Sequence, residues 1–217
     1  MEYSPRLLDH LTARLQQPLP GIEAHLHMAP PLFQQKAKQG VRIEVPADAR
    51  EAAVLLLLYL NEDKLHIPLM KRSEDGRVHG GQISLPGGRV ESIDKDYHEA
   101  ALREAHEEMG ILPAGVEILG SLSEIYIIPS NFQVFPSVGF MKERPDFIAD
   151  PVEVAEIIEV PLDIFLKDST RKMQKMQGSG GFTFETPGYV ISERHTVWGG
   201  TSMILAEFFS VVQDMLK

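Results

Sequence analysis

The sequence predicts one α+β domain built around a mixed β-sheet, and three observations carry the prediction. An unbroken apolar run from Ala52 to Leu60 is followed by a turn and a second apolar segment, the pattern of two strands buried on both faces. Residues 96–109 have a helix start, a helix stop and helical spacing between them. Strand-like segments then alternate with short helical ones, with no internal repeat and no break in composition to mark a second domain.

The elements follow in order. Leu7, Leu8, Leu11 and Leu15 recur at helical spacing, and Pro18 and Pro20 end that segment. Residues 18–40 hold several Pro and Gly and are expected to form an irregular arm. Ala53 to Tyr59 reads as a strand, Asn61-Glu62-Asp63 as a turn, and Leu65 to Met70 as the returning strand. Residues 71–95 are polar and Gly-rich with no period, which predicts a long loop, functional or mobile. Asp96 caps the next helix, with Glu99 as the other half of a capping box, and Gly110 stops it. Strands are expected near 116–126, 132–141 and 152–160, then a short helix from Pro161. The basic stretch with Arg171, Lys172, Met173, Lys175 and Met176 reads as a mobile surface segment. Phe182 to Val197 reads as a hairpin turning at Pro187-Gly188, and Gly199 to Leu216 as a closing helix.

Composition narrows the function. The 217 residues are 43% hydrophobic and 24% charged, values of a globular chain able to bury a core. The net charge of −10 argues against general nucleic-acid binding by phosphate neutralisation. An acidic chain can still take a phosphorylated substrate if a metal ion supplies local positive charge. The absence of cysteine excludes disulfides, thiol catalysis and thiolate metal sites. The apolar run of Ala52–Leu60 is far shorter than the ~20 residues that cross a bilayer. The first residues have no basic, apolar leader, so no membrane partner and a cytoplasmic location are expected.

Leu85 to Ile111 carries the chemistry. Pro86-Gly87-Gly88 precedes Glu91 and Asp94, then Arg103-Glu104-Ala105-His106-Glu107-Glu108-Met109-Gly110-Ile111. Glu104, Glu107 and Glu108 fall on one helix face within about one turn, where like charges cost ~0.2–0.5 kcal/mol per pair. Converging carboxylates suit a hard divalent cation, Mg²⁺ or Mn²⁺, and a glycine turn lets a backbone carbonyl approach it.

This arrangement resembles the Nudix box, the signature of Nudix hydrolases, with two departures. Gly88 stands fifteen residues before Arg103 where the usual box has fourteen, and Asp94 replaces the first Glu. The insertion resembles the coenzyme A pyrophosphatase branch. So do the upstream residues Arg72-Ser73, Arg77, His79, Gly81, Gln82-Ile83-Ser84 and Leu85-Pro86-Gly87-Gly88, with Pro68, Met70 and Leu85 departing from that branch's motif. Pro129-Ser130 to Pro136, Glu153-Val154 to Pro161-Leu162 and Trp198-Gly199-Gly200-Thr201 extend the likeness over roughly residues 50–210.

The resemblance implies a Nudix-type α/β/α sandwich, with residues 1–50 as an N-terminal helix and arm and 51–217 as the Nudix hydrolase domain. It implies that Glu104, Glu107, Glu108 and the Gly87 carbonyl bind the metal. Catalysis would rest on Glu104 and Arg103, with Arg103 held by Asp94 or Glu91. Arg72, Arg77, His79 and Gln82 would bind substrate, Arg offering a fork for the extra phosphate of coenzyme A. The general base would be Glu104 or a distant-loop Glu, with Glu153 and Glu156 as candidates. His106 reads as a helix-surface residue and Trp198 as core or pocket wall.

The reaction implied is hydrolysis of the diphosphate of coenzyme A or its thioesters, a small-molecule nucleotide substrate. A second reading is another nucleoside diphosphate derivative, ADP-ribose or a dinucleotide. A third is a non-catalytic nucleotide sensor, disfavoured because all three helix carboxylates are present. Two roles are open to the N-terminal arm: covering the site or building the interface of a homodimer.

Overall fold

Twelve residues of one strand, β1 (Arg50–Asn61), form the spine of the computed structural model, which describes residues 4–41, 43–74, 76, 79–177 and 183–215. Leu55, Leu56, Leu57, Leu58 and Tyr59 are buried on both faces, the environment that selects an unbroken apolar run. Glu62 and Asp63 take φ of 48° and 61°, as a tight primed turn requires, and return the chain as β2 (Lys64–Arg72).

The segment expected to be one long loop holds two short strands, β3 (Ile83–Ser84) and β4 (Gly87–Arg89), which the glycine content hid. They pair antiparallel with β2 and β1 respectively. The segment near 116–126 is likewise two strands, β5 (Glu117–Ser121) and β6 (Ile125–Ile127), both antiparallel to β7 (Phe132–Met141). β7 runs parallel to β1 through ten pairs, Arg50 opposite Phe132 at one end and Tyr59 opposite Met141 at the other. β8 (Val154–Pro161) adds to β2. The result is one mixed, eight-stranded sheet.

Helices cover both faces. Residues 18–40, expected to be irregular, form two short helices after α1 (Pro5–Leu15): α2 (Ile22–Leu26) and α3 (Pro31–Lys38). α4 (Tyr97–Met109) lies on one face of the sheet, packing Ala100, Ala101, Ala105 and Met109 on Ala53, Leu55 and Leu57. α5 (Leu162–Phe165) is a single turn, and α6 (Gly199–Met215) packs with α1 on the opposite face, around Leu56, Leu58 and Leu65. Leu11, Leu15 and Met28 belong to that same core, so the N-terminal segment is built into it. Among the described residues no helix is long and apolar enough to cross a membrane.

A second sheet holds β9 (Arg171–Gln177), β10 (Thr183–Val190) and β11 (Thr196–Trp198) in the order β11-β10-β9. The basic Met-containing segment is therefore a strand, held by its ladder to β10 and not by burial. Pro187-Gly188 is no turn. Pro187 lies inside β10 opposite Met173, just beyond the part of β10 that pairs with β11, where a missing N–H costs no ladder bond on that side. The chain reverses instead at 191–195.

Candidate active site

Asp96 Oδ1 accepts the Glu99 N–H at 2.8 Å and starts α4, and Gly110 ends it at φ 71°. Glu99 folds back one residue further than a capping box would, accepting the Lys95 N–H at 2.6 Å. The alanines of α4 let the helix sit close to β1, and that proximity brings Glu104 and Glu108 to the end of β4.

Glu108 is the most enclosed of the three α4 glutamates, 2% exposed. Its Oε2 accepts the Gly87 N–H at 2.7 Å and its Oε1 accepts Arg72 Nη1 at 3.2 Å. Burial pushes its carboxyl up to about 8; Arg72 and the Gly87 N–H oppose the rise, and Glu104 and Glu153 add to it. Glu104 is also raised, chiefly by burial, with Arg103 opposing and Glu107 and Glu153 adding. Glu107 is more than half exposed, outside the pocket lining, and accepts Arg103 Nη1 at 3.1 Å.

Arg103 pairs with Asp94 rather than Glu91. Its Nε and Nη2 meet the two Asp94 oxygens at 2.9 and 3.0 Å, while exposed Glu91 meets Asp94 through its backbone, its N–H donating to Oδ2 at 2.8 Å and its carbonyl accepting the Asp94 N–H at 3.1 Å. Arg103 Nη1 donates to Glu104 at 2.9 Å, and Nη2 to the Arg89 carbonyl at 3.1 Å.

The carboxylates open into a pocket of about 620 Å³. Glu104, Glu108, Glu153, Gly87, Gly88 and Arg72 form one end, with His79 and Gln82 beside them; Trp198, Phe132, Ile127 and Ile204 line the other. His79 Nδ1 lies 3.1 Å from Gln82 Oε1, and burial lowers the pKa of its ring, so the imidazole there is neutral at pH 7. Arg77 lies outside the described residues. Of the two distant acids, Glu153 faces the pocket, whereas Glu156 meets His195 Nε2 at 3.0 Å. Glu153 belongs to the turn that leads into β8, whereas Glu156 lies within the strand itself. His106 is exposed, as expected, and Trp198 is a half-buried pocket wall, not core. Among the described residues nothing before Arg50 lines the pocket. Arg50 and Arg89, which also line it, went unnoticed in the sequence; Arg89 follows Gly88 directly, and that adjacency was the available signal.

The donor set fits a hard divalent cation. Glu104, Glu108 and Glu153 offer only oxygen, and their mutual repulsion in a buried place favours a cation between them. A side chain at Gly88 would put its Cβ 2.5 Å from the Glu104 carboxyl, so the loop keeps that approach clear. Among the described residues no three His, Asp or Glu side chains are already gathered as a metal cage. Glu104 and Glu107 share Arg103, while Glu108 is held by Arg72.

Residues 49–175, more than half of the chain, match the model of the NUDIX domain. "Uncharacterized Nudix hydrolase NudL" of Pectobacterium atrosepticum is 41% identical over 172 residues, 76% of this chain and 84% of that protein. "Nudix hydrolase 15, mitochondrial" of Arabidopsis thaliana is 34% identical over 170 residues, 76% of this chain and 59% of that protein. The chain thus spans little more than half the length of the Arabidopsis relatives it matches. In fold it is similar to a MutT/nudix family protein from Enterococcus faecalis, at TM-score 0.56 and 18% identity over 92% of this chain and 76% of that one. A MutT protein from Methanosarcina mazei Go1 gives TM-score 0.50 and 20% identity over 81% and 99%. Family model, relatives and fold agree with the acidic helix and glycine loop at the pocket's end, and the chain belongs to the Nudix hydrolase family.

Proposed function

We propose that the chain hydrolyses the diphosphate of coenzyme A or an acyl-CoA to 4′-phosphopantetheine (or its acyl form) and adenosine 3′,5′-bisphosphate, with Mg²⁺ or Mn²⁺. The observation that carries this reading is the junction of two features in one pocket. Glu104, Glu108 and Gly87–Gly88 stand at one end, and Arg72, His79 and Gln82 of the upstream motif stand beside them.

Glu104, Glu108 and the Gly87 carbonyl would hold the cation, with Glu107 joining from the helix surface. A bound cation would neutralise the diphosphate oxygens and lower the pKa of the attacking water. Arg103, fixed by Asp94, sets the direction of the Glu104 carboxylate. Glu153 is the proposed base: it accepts a proton from water as the new P–O bond forms, and the anhydride P–O bond breaks to release the second monoester. The test is product analysis with coenzyme A, ADP-ribose and a dinucleotide, each with Mg²⁺, Mn²⁺ and a chelator. Adenosine 3′,5′-bisphosphate that disappears with chelator is expected. Cleavage of the other substrates alone would discard coenzyme A and keep the hydrolase.

A further inference from the structure

Three arginines line the pocket, and they are not equivalent. Arg72 is committed to Glu108 at 3.2 Å, within the carboxylate end. A guanidinium already paired with a buried acid is poorly placed to take a further phosphate. The other two, Arg89 and Arg50, lie successively further along the β1–β4 pair from Gly87.

The strand register sets their positions. Side chains alternate along β1, so Arg50, Ala52 and Val54 face the pocket together. In the antiparallel pairing with β4, Val54 stands opposite Gly87 and Ala52 opposite Arg89. Cross-strand partners share a face, which puts Arg89 above Ala52 and Arg50 on the diagonal, about 7–8 Å away. Counting ~3.3 Å per residue along the strands, Arg89 lies about 7 Å and Arg50 about 13 Å from the Val54–Gly87 pair beside the carboxylates. That span matches one nucleoside.

Both guanidiniums are ready to bind an anion. Arg50 is fixed in orientation: its Cζ lies 4.1 Å from the Phe132 ring centre, and Nη2 donates to the Ser130 carbonyl at 2.7 Å. The remaining donors of its fork are not used by these contacts. Among the described residues no hydrogen bond or ion pair engages the Arg89 side chain, while its carbonyl is anchored by Arg103 at 3.1 Å. The two guanidinium charges repel, and an anion between them would relieve that repulsion.

We propose that Arg50 and Arg89 form a second anion subsite, which takes a phosphate monoester carried on the nucleoside of the substrate, one ribose away from the scissile diphosphate. This deepens the coenzyme A reading and rests on it for the identity of the substrate. It also moves the recognition of the extra phosphate from Arg72 to Arg50 and Arg89.

The experiment compares coenzyme A with 3′-dephospho-coenzyme A in the wild type, Arg50→Ala, Arg89→Ala, the double variant and Arg72→Ala. In the double variant the ratio of kcat/KM for coenzyme A over the dephospho form should fall at least about tenfold, as expected for charge-assisted hydrogen bonds lost to one substrate only. Arg72→Ala should lower both substrates together and leave the ratio in place. Because each ratio is taken within one protein, a shared loss from misfolding cancels. An unchanged ratio in the double variant overturns the subsite. Calorimetry with adenosine 3′,5′-bisphosphate and adenosine 5′-monophosphate separates the two proposals. Tighter binding of the bisphosphate that depends on Arg50 and Arg89, without coenzyme A turnover, keeps the subsite and discards the substrate. Coenzyme A turnover with equal binding of both nucleotides does the reverse.

Discussion

Arg103 grips Asp94 by both edges, Nε to Oδ1 at 2.9 Å and Nη2 to Oδ2 at 3.0 Å, and thereby ties the loop after β4 to the acidic face of α4. The Arg103 hydrogen bonds hold the Asp94 carboxyl below its ordinary value, against the opposing effect of burial. A lysine at this position keeps the charge and loses the fork. Arg103→Lys should therefore lower kcat by about 10–100-fold, the usual cost of losing an orienting partner, while the protein still melts cooperatively. Steady-state kinetics beside a thermal melt measures both. A fully active lysine variant would remove Arg103 from the site.

Glu107 and Glu108 are adjacent in sequence and unlike in environment, one more than half exposed and the other 2% exposed. Glu107→Gln and Glu108→Gln change charge with almost no change of volume. Each should cut turnover by at least about 100-fold and weaken Mg²⁺ binding, with the melting temperature of Glu107→Gln unchanged. Metal titration by calorimetry gives the affinity. Normal turnover in Glu107→Gln would leave that residue outside the metal set.

The two loop glycines should fail in different ways. At Gly88 an added Cβ meets the end of the Glu104 side chain at 2.5 Å, and that carboxylate can swing aside. Gly88→Ala should fold normally and lose activity. At Gly87, φ is 153° and the Cβ would strike the Ala53 carbonyl and the Val54 backbone at 2.6 Å, which cannot move without breaking the β1–β4 pairing. Gly87→Ala should lose about 2–4 kcal/mol of stability, read from denaturant midpoints. Equal melting of the two variants would contradict this account.

Glu207 on α6 is fully buried and clasps the N-terminal segment. It accepts the Gly21 N–H at 2.9 Å and the Ser123 N–H and hydroxyl at 3.0 and 2.7 Å, and lies 3.0 Å from His25 Nε2. Burial raises its pKa, but the bonds from His25, Ser123 and Gly21 outweigh burial and leave it below the ordinary 4.5. A depressed carboxyl contributes stability in full above its unfolded value and loses it as pH falls through the folded one. Glu207→Gln should cost about 1–3 kcal/mol at pH 7, and the deficit should shrink as the pH drops below about 4.5. A deficit constant from pH 7 to acid would show that charge at Glu207 is irrelevant.

Much of this molecule was determined by local chemistry alone. The Asp96 cap and the Gly110 stop bound α4 because both act within one turn of chain. The Ala52–Leu60 run declared a strand because only a position between two covered faces rewards nine apolar residues in a row. Glu104 and Glu108 could be placed on one helix face by spacing. Their burial could not, since it depends on how closely the alanines of α4 let the helix approach β1. Nor could sequence show that Pro187 lies within a strand, or that β3 and β4 exist. Both depend on partners dozens of residues away, and short glycine-rich ladders have no periodicity to read. The same limit separated Glu153 from Glu156, and Arg72 from Arg50 and Arg89. Residue type and spacing named these groups, but only strand register and packing decided which of them meet in one pocket, because the distances between them are set through space and not along the chain.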